Sequence, residues 1–271
     1  MQALFTAANI TLSLGFLLYA SWSDHKTREV SNRVWVIYAP LALSLSLADF
    51  LLFDPSRLPF FILSFGVTAA IAILLFYTGG FGGADSKALM CIALALPFST
   101  ETLFSPLISG GASPLSQILF PLTVFSNGVL FAAATGLYMI VYNILWHKRT
   151  GKKTFEGTLA AESLGKKLVA MITGHKVSIV KLKEKWHIYP MEDLEDESGA
   201  NQPKRKLVVV PKDEGRDEIV ARLSKAVSSG KIDSYVWATP GLPMLIFITV
   251  GLVVALLFGD VVWLLVSFMF R

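Results

Sequence analysis

The chain has 271 residues, of which 54% are hydrophobic and 16% charged, and its mean hydropathy is +0.58. Soluble domains run near about 45–50% apolar and about 25% charged, so this composition excludes an ordinary soluble enzyme and points to a polytopic membrane protein with some soluble mass. The net charge of +4 is no sign of nucleic-acid binding, because the basic residues are segregated in a way the membrane explains. One cysteine and four scattered histidines exclude a disulfide framework, a paired-cysteine zinc site and an HExxH motif, so neither metal nor other cofactor is expected.

The first apolar stretch covers residues 3–22, long enough to span a bilayer. It lacks the basic flank and the short apolar run of a cleaved signal peptide. A polar segment follows, Ser23-Asp24-His25-Lys26-Thr27-Arg28-Glu29-Val30-Ser31-Asn32-Arg33. A second span covers 34–53, and Asp54-Pro55-Ser56-Arg57 makes a turn. Pro59 opens a third span that ends near residue 77. Next comes a glycine-dense loop, Thr78-Gly79-Gly80-Phe81-Gly82-Gly83-Ala84-Asp85-Ser86-Lys87, and a short fourth span over 85–97. Residues 98–117 carry Ser-Pro and Gly-Gly pairs that break helices, and a fifth span covers 118–146.

Residues 147–235 differ in kind, holding 18 Lys/Arg and 13 Asp/Glu. β-branched alternation predicts strands over 177–189 and 207–210. The spacing of Ile219, Val220, Leu223, Ala226 and Val227 predicts a helix over 217–227. A last apolar run, 244–270, follows Trp237-Ala238-Thr239-Pro240-Gly241-Leu242-Pro243. The expected fold is an all-α polytopic bundle of six transmembrane helices with a small α+β cytoplasmic domain inserted before the last. Its divisions are 1–146 for helices one to five, 147–236 for the insert and 237–271 for the sixth helix.

With six spans, 22 of the 24 Lys/Arg share one side. The positive-inside rule makes that side cytoplasmic and puts both termini outside. The protein is then a multi-pass cell-membrane protein whose partners include the lipid bilayer and exclude nucleic acid. Seven acids lie outside the insert. Glu29, Asp54 and Glu101 sit in polar loops, Asp49 lies near an interface, and Asp260 falls toward the outer face, where a structural role is expected. Asp24 and Asp85 remain, both at cytoplasmic ends of spans.

Two facing carboxyls a few Å apart do not both ionise easily, so the pair holds a shared proton. The ionised member takes a proton from water while the protonated member hydrogen-bonds a substrate carbonyl. That supports peptide hydrolysis without a metal or a covalent intermediate. For Asp24 the competing reading is a capping or interfacial acid paired with Lys26 or Arg28. Two other functions compete. A transporter predicts acids spread through the bilayer depth and internal repeats, neither of which the sequence has. A membrane scaffold with a cytoplasmic partner-binding domain predicts that both acids are dispensable.

Asp24 after the first span, with basic residues and Val30-Ser31-Asn32 behind it, together with Gly82-Gly83-Ala84-Asp85-Ser86-Lys87, resembles the GxGD-type intramembrane aspartyl proteases. The similarity is greatest to the type IV prepilin peptidases, in the archaeal preflagellin (prearchaellin) branch. That branch has six spans, a cytoplasmic domain before the last and a Trp-x-x-Pro-Gly-x-Pro segment, matched by Trp237, Pro240, Gly241 and Pro243. The resemblance implies catalytic roles for Asp24 and Asp85. It places Gly82, Gly83 and Ala84 in the motif, where the glycines either admit the substrate backbone or only shape the turn. Lys87, Asn32 and Pro243 are supporting residues, and Lys87 has a boundary role by default. Ala84 stands where the bacterial branch often has Gly, and Ser31 where the family usually has Pro. The bacterial cysteine motifs and methyltransferase region are absent, so peptidase activity alone is expected. The implied substrate is an archaellin or type IV pilin-like precursor whose short basic, class III-type leader is removed at the cytoplasmic membrane border. The resemblance leaves the insert unmatched. Its acidic residues, Glu192, Asp193, Glu195, Asp196 and Glu197, offer one docking place for a basic leader.

Overall fold

The computed structural model describes residues 1–99, 106–108, 111–195, 204–208 and 215–270. In chain order the elements are α1 (Gln2–Thr27), α2 (Asn32–Phe53), α3 (Leu58–Tyr77), α4 (Gly83–Ala95), α5 (Pro114–Ile118), α6 (Phe120–Thr150) and α7 (Leu164–Thr173). There follow β1 (His175–Ser178), α8 (Ile179–Glu184), β2 (Ile188–Pro190), β3 (Glu192–Glu195), β4 (Lys204–Leu207), α9 (Arg216–Ser228), β5 (Tyr235–Pro240), α10 (Met244–Phe258) and α11 (Val261–Met269). They form two compact units, Met1–Ala132 with Pro243–Arg271, and Ala133–Leu242.

The first unit is a helical bundle. Four stretches are long and apolar enough to cross a bilayer: α1, α2, Pro55–Tyr77 and α6. Taken together, α10 and α11 also qualify, as one span bent by 65°. The stretch expected as a fourth span is the 13-residue α4, about 20 Å long at about 1.5 Å per residue and shorter than a bilayer's hydrocarbon thickness. Its apolar residues have a further role, since Ala88, Leu89, Cys91, Ile92 and Ala95 are buried among neighbouring helices.

Small hydroxyl and amide side chains hold the bundle together, since no hydrophobic gain drives apolar helices together in lipid. Tyr38 Oη donates to Ser13 Oγ at 2.7 Å, and Ser13 Oγ donates to the Asn9 carbonyl at 2.7 Å. Asn9 Nδ2 donates to Ser46 Oγ at 3.2 Å, and Ser46 Oγ donates to the Leu94 carbonyl at 2.7 Å. This chain ties α1, α2 and α4 together. Ser21 and Thr249 share a 2.7 Å bond between α1 and α10.

The last apolar run is interrupted at Gly259, whose φ of +77° disfavours any side chain. Asp260 then caps α11. Its Oδ1 accepts from the Trp263 amide at 2.9 Å, and its Oδ2 accepts from Ser113 Oγ at 2.7 Å. Asn127 bridges the break, donating to the Gly259 carbonyl at 2.9 Å and accepting from the Val261 amide at 3.1 Å.

The second unit carries an antiparallel sheet of order β1-β5-β2 and a β3-β4 hairpin. The strand expected over 177–189 is split by α8, which Ser178 caps by accepting from the Lys181 amide. β4 ends at Leu207, and residues 209–210 of the expected strand lie outside the described residues. The expected helix is α9, with Val220, Leu223 and Ala226 buried. Trp237 is fully buried in β5, stacked on Phe155 at 5.0 Å, and donates its indole N–H to the Thr154 carbonyl.

The acids proposed to dock a leader are otherwise engaged. Glu192 is fully buried and takes both its bonds from Arg205 Nη2 at 2.8 Å. Asp193 pairs with Arg222 and Glu195 with Lys204 and Lys206, while Asp196 and Glu197 lie outside the described residues. Lys176 is buried nearby. Burial holds its pKa below the usual lysine range, and the Glu192 charge opposes that shift. A Glu192→Gln exchange leaves Arg205 and Lys176 without their buried counter-charge, an expected cost of about 3–5 kcal/mol. Hydrogen exchange on the full chain checks this: β3 and β4 amides should lose protection, and unchanged protection would contradict it.

Candidate active site

Asp24 lies in the last turn of α1, where the helix extends beyond the apolar stretch and takes up half of the segment expected to be a loop. The helix stops at Arg28, in the left-handed conformation with φ 60°, whose amide donates to the Asp24 carbonyl at 2.9 Å. Ser23 Oγ and Thr27 Oγ1 both donate to the Glu29 carbonyl and fold the turn back toward α2. Ser31, where the family pattern has Pro, is the N-cap of α2, its Oγ accepting from the Arg33 amide at 3.4 Å. The turn is thus made with a hydroxyl in place of a ring.

Asp85 is the third residue of α4. Its Oδ2 accepts from the Gly82 amide at 3.0 Å, a capping arrangement that engages one oxygen and leaves Oδ1 out of the cap. α1 and α4 are packed neighbours, and the Asp24 charge acts on the Asp85 carboxyl. Both acids are half-buried. Among cations, Arg28 and His25 bear on Asp24, whereas Lys26 sits over the Trp22 ring at 5.0 Å.

The loop glycines have separate jobs. Gly79, at φ +75°, closes the end of α3, where the Gly80 and Phe81 amides both donate to the Leu75 carbonyl. A Cβ on Gly82 would sit 3.1 Å from Asp85 Oδ2, whereas one on Gly83 meets, among the described residues, only Phe76 Cε2 at an ordinary 3.6 Å. Ala84 packs against the bundle core. Two residues not singled out in the sequence anchor the loop. Phe81 is buried edge-on against Phe125 at 5.4 Å, and Ser86 Oγ donates to the Ala72 carbonyl at 3.1 Å. The only sequence signal for either was an apolar residue and a hydroxyl inside a glycine-rich run.

The supporting residues separate into a pair and an outlier. Lys87 Nζ donates to Asn32 Oδ1 at 2.6 Å, joining the start of α2 to α4 two residues beyond Asp85. Pro243 is the N-cap of α10 and bonds to neither acid. Among the described residues, no group of three or more His, Cys, Asp or Glu gathers as a metal would need.

By fold this is a helical membrane protein with two acidic side chains gathered at one end of its bundle. Residues 11–145 match the Type IV leader peptidase family, and residues 166–261 match the archaeal peptidase A24 C-terminus, type II. The second match takes in most of the insert that the sequence alone left unassigned. The chain is 28% identical over 250 residues to a preflagellin peptidase of Methanococcus voltae, covering 90% of this chain and 92% of that one. It is 25% identical over 246 residues to the preflagellin peptidase of Methanococcus maripaludis strain C6, with the same coverage. The chain belongs to the type IV leader peptidase family, in its archaeal preflagellin peptidase branch, and it is a protease.

Proposed function

We propose that this protein removes the leader peptide from preflagellin, with Asp24 and Asp85 as its catalytic pair. The observation that carries the reading is that α1 and α4 are packed neighbours, with a half-buried acid at the end of one and the start of the other and the Asp24 charge in range of the Asp85 carboxyl. One acid, ionised, takes the proton from an attacking water. The other, protonated, hydrogen-bonds the scissile carbonyl and stabilises the charge that develops on it. Collapse of the tetrahedral intermediate expels the amine, which receives a proton from the pair. Gly82 holds Asp85 Oδ2 through its amide, and the Lys87–Asn32 bond fixes the separation of α2 and α4 next to it. Pro243 starts α10.

In the full topology proposed here, α4 makes a short fourth crossing and the α10–α11 pair a broken sixth. Both termini are outside, and the pair of acids and the soluble insert are cytoplasmic. A class III-type basic leader would then reach the acids from the cytoplasm while the substrate's apolar helix stays in the bilayer. The scissile segment must be unwound, because a helix engages its carbonyls in i→i−4 bonds.

Incubating membranes containing this protein with full-length preflagellin and weighing the product tests the reading. Loss of the leader at its junction with the apolar helix is expected, and an unaltered precursor would refute it. Gly82 offers a second check. Gly82→Val pushes on the Asp85 carboxyl, and a displacement near 1 Å costs about 100-fold in rate. Gly83→Ala should cleave at nearly the normal rate, and equal rates for the two variants would contradict the assigned roles.

A further inference from the structure

Helix α7 turns its apolar side away from the rest of the soluble unit. A helix at the surface of a soluble domain does the reverse, with its apolar stripe on the core and its charges in water. In α7, Leu164, Leu168 and Ile172 recur every four residues on one side, with Val169 beside them. Among the described residues Leu164 is 83% exposed, Leu168 56% and Val169 38%. The opposite side centres on Ala170, which is buried and lies three and four residues after Lys167 and Lys166. Both lysines bond back onto the unit. Lys166 Nζ donates to Glu162 Oε2 at 2.9 Å, and Glu162 Oε1 accepts from the Leu207 amide of β4 at 2.9 Å. Lys167 Nζ donates to the Ala160 carbonyl at 2.6 Å. An exposed apolar face on a helix whose charges are spent on its own domain calls for a cover other than water.

The neighbour of α7 identifies that cover. The end of α7 rests on the second half of α6, within the same compact unit. A Cβ on Gly136 would lie 2.8 Å from Ile172 Cγ2, so the isoleucine fills the place of the missing side chain. Asn143 Nδ2 donates to the Met171 carbonyl at 3.0 Å and to the Gly174 carbonyl at 2.8 Å. α6 is long and apolar enough to cross a bilayer. A hydrocarbon core of about 30 Å takes about 20 helical residues, so a crossing that begins with α6 ends between Gly136 and Asn143. Tyr138 and Tyr142, with rings 6.1 Å apart, mark that level as interfacial tyrosines do, and His147, Lys148 and Arg149 follow. Leu137 and Val141 are exposed beside this contact. The apolar face of α7 therefore adjoins the lipid-facing surface of a span, at the depth where hydrocarbon gives way to head groups.

We propose that α7 is an interfacial helix, with Leu164, Leu168 and Val169 inserted among the acyl chains of the lipid bilayer that α6 crosses. The test uses the full chain in phosphatidylcholine vesicles, with a nitroxide spin label on Leu164→Cys or Leu168→Cys. Leu137→Cys serves as the span reference and Lys225→Cys, on α9, as the water reference. Cys91 is buried, and the unmodified chain taken through the same labelling gives the background. Collisions with oxygen, which concentrates in hydrocarbon, are compared with collisions with a water-soluble nickel chelate. Both α7 labels should favour oxygen as Leu137 does, at a depth of about 5–10 Å, while Lys225 favours nickel. Nickel-favouring labels at both α7 positions would overturn the proposal. So would labels that neither reagent reaches, which would make the cover a second copy of the chain or another protein. A measurement on the unmodified chain needs no variant to fold. A lipid carrying a photoactivated diazirine on its acyl chain should label the tryptic peptide 168–176 as well as peptides of α6. Labelling of α6 with none in 168–176 would overturn the proposal.

Discussion

Gly251→Val is expected to leave little folded protein. α6 and α10 cross with their backbones nearly touching. A Cβ on Gly251 would lie 2.3 Å from the Val124 carbonyl oxygen, and one on Gly128 would lie 2.9 Å from that of Phe247. The obstructing atoms are main chain, so no side chain can swing away, and relief requires separating the helices. Small residues at such crossings let apolar helices gain packing that lipid does not otherwise favour. Overpacking costs about 1–3 kcal/mol and at times more, and a rigid backbone obstacle puts Gly251→Val at the upper end. Gly15 is the control, since among the described residues no atom lies within 4 Å of its added Cβ. After graded heating in detergent, the monomer peak of Gly251→Val should vanish well below the temperature at which Gly15→Val and the unmodified chain lose theirs. Coincident melting of all three would contradict the close crossing.

Asp85→Asn is expected to fold normally and to lose leader removal by about 1,000-fold, within the range set by a positioned proton-transfer group. The amide is nearly isosteric with the acid, and its Oδ1 still accepts from the Gly82 amide, so the cap on α4 survives. What disappears is the group that holds or takes a proton. A purely capping role for Asp85 predicts near-normal cleavage by the same variant, so the substitution separates local structure from chemistry. Asp85→Glu retains the acid but extends it by a methylene, and an intermediate rate is expected. Cleavage is read as the ratio of mature to precursor substrate at fixed times, with protein amount held equal. A full rate for Asp85→Asn would remove Asp85 from the reaction.

Long apolar runs made α1, α2, α3 and α6 readable from sequence, because spanning a bilayer demands a length and composition that little else mimics. α4 was harder. Most of its apolar residues from Ala88 to Ala95 are buried by other helices, and hydropathy does not distinguish that environment from lipid. The bend in the last run was foreshadowed by Gly259 and Asp260, but the bonds that set it come from Ser113, Gly111 and Asn127, far off in sequence. In the soluble unit, amphipathic spacing located α9. The β-branched run after residue 177 misled, because Ser178 caps a helix there.

The candidate site was legible to the extent that Asp24 and Asp85 are costly acids at the ends of apolar runs. The shared work of Lys87 and Asn32 was not, since nothing local in a sequence signals a bond across 55 positions. The acidic run from Glu192 read as a free docking surface because charge patterning does not reveal partners. Arg205 and Arg222 take up Glu192 and Asp193 from other elements.

The most direct test of the proposed pair is a comparison of Asp24→Asn, Asp85→Asn and the double variant for leader removal in membranes. Groups that act as one unit are strongly non-additive when removed. Each single variant should be as inactive as the double, while all three express and fold like the unmodified chain. Independent losses that multiply in the double variant, or substantial processing by either single variant, would contradict a shared catalytic role.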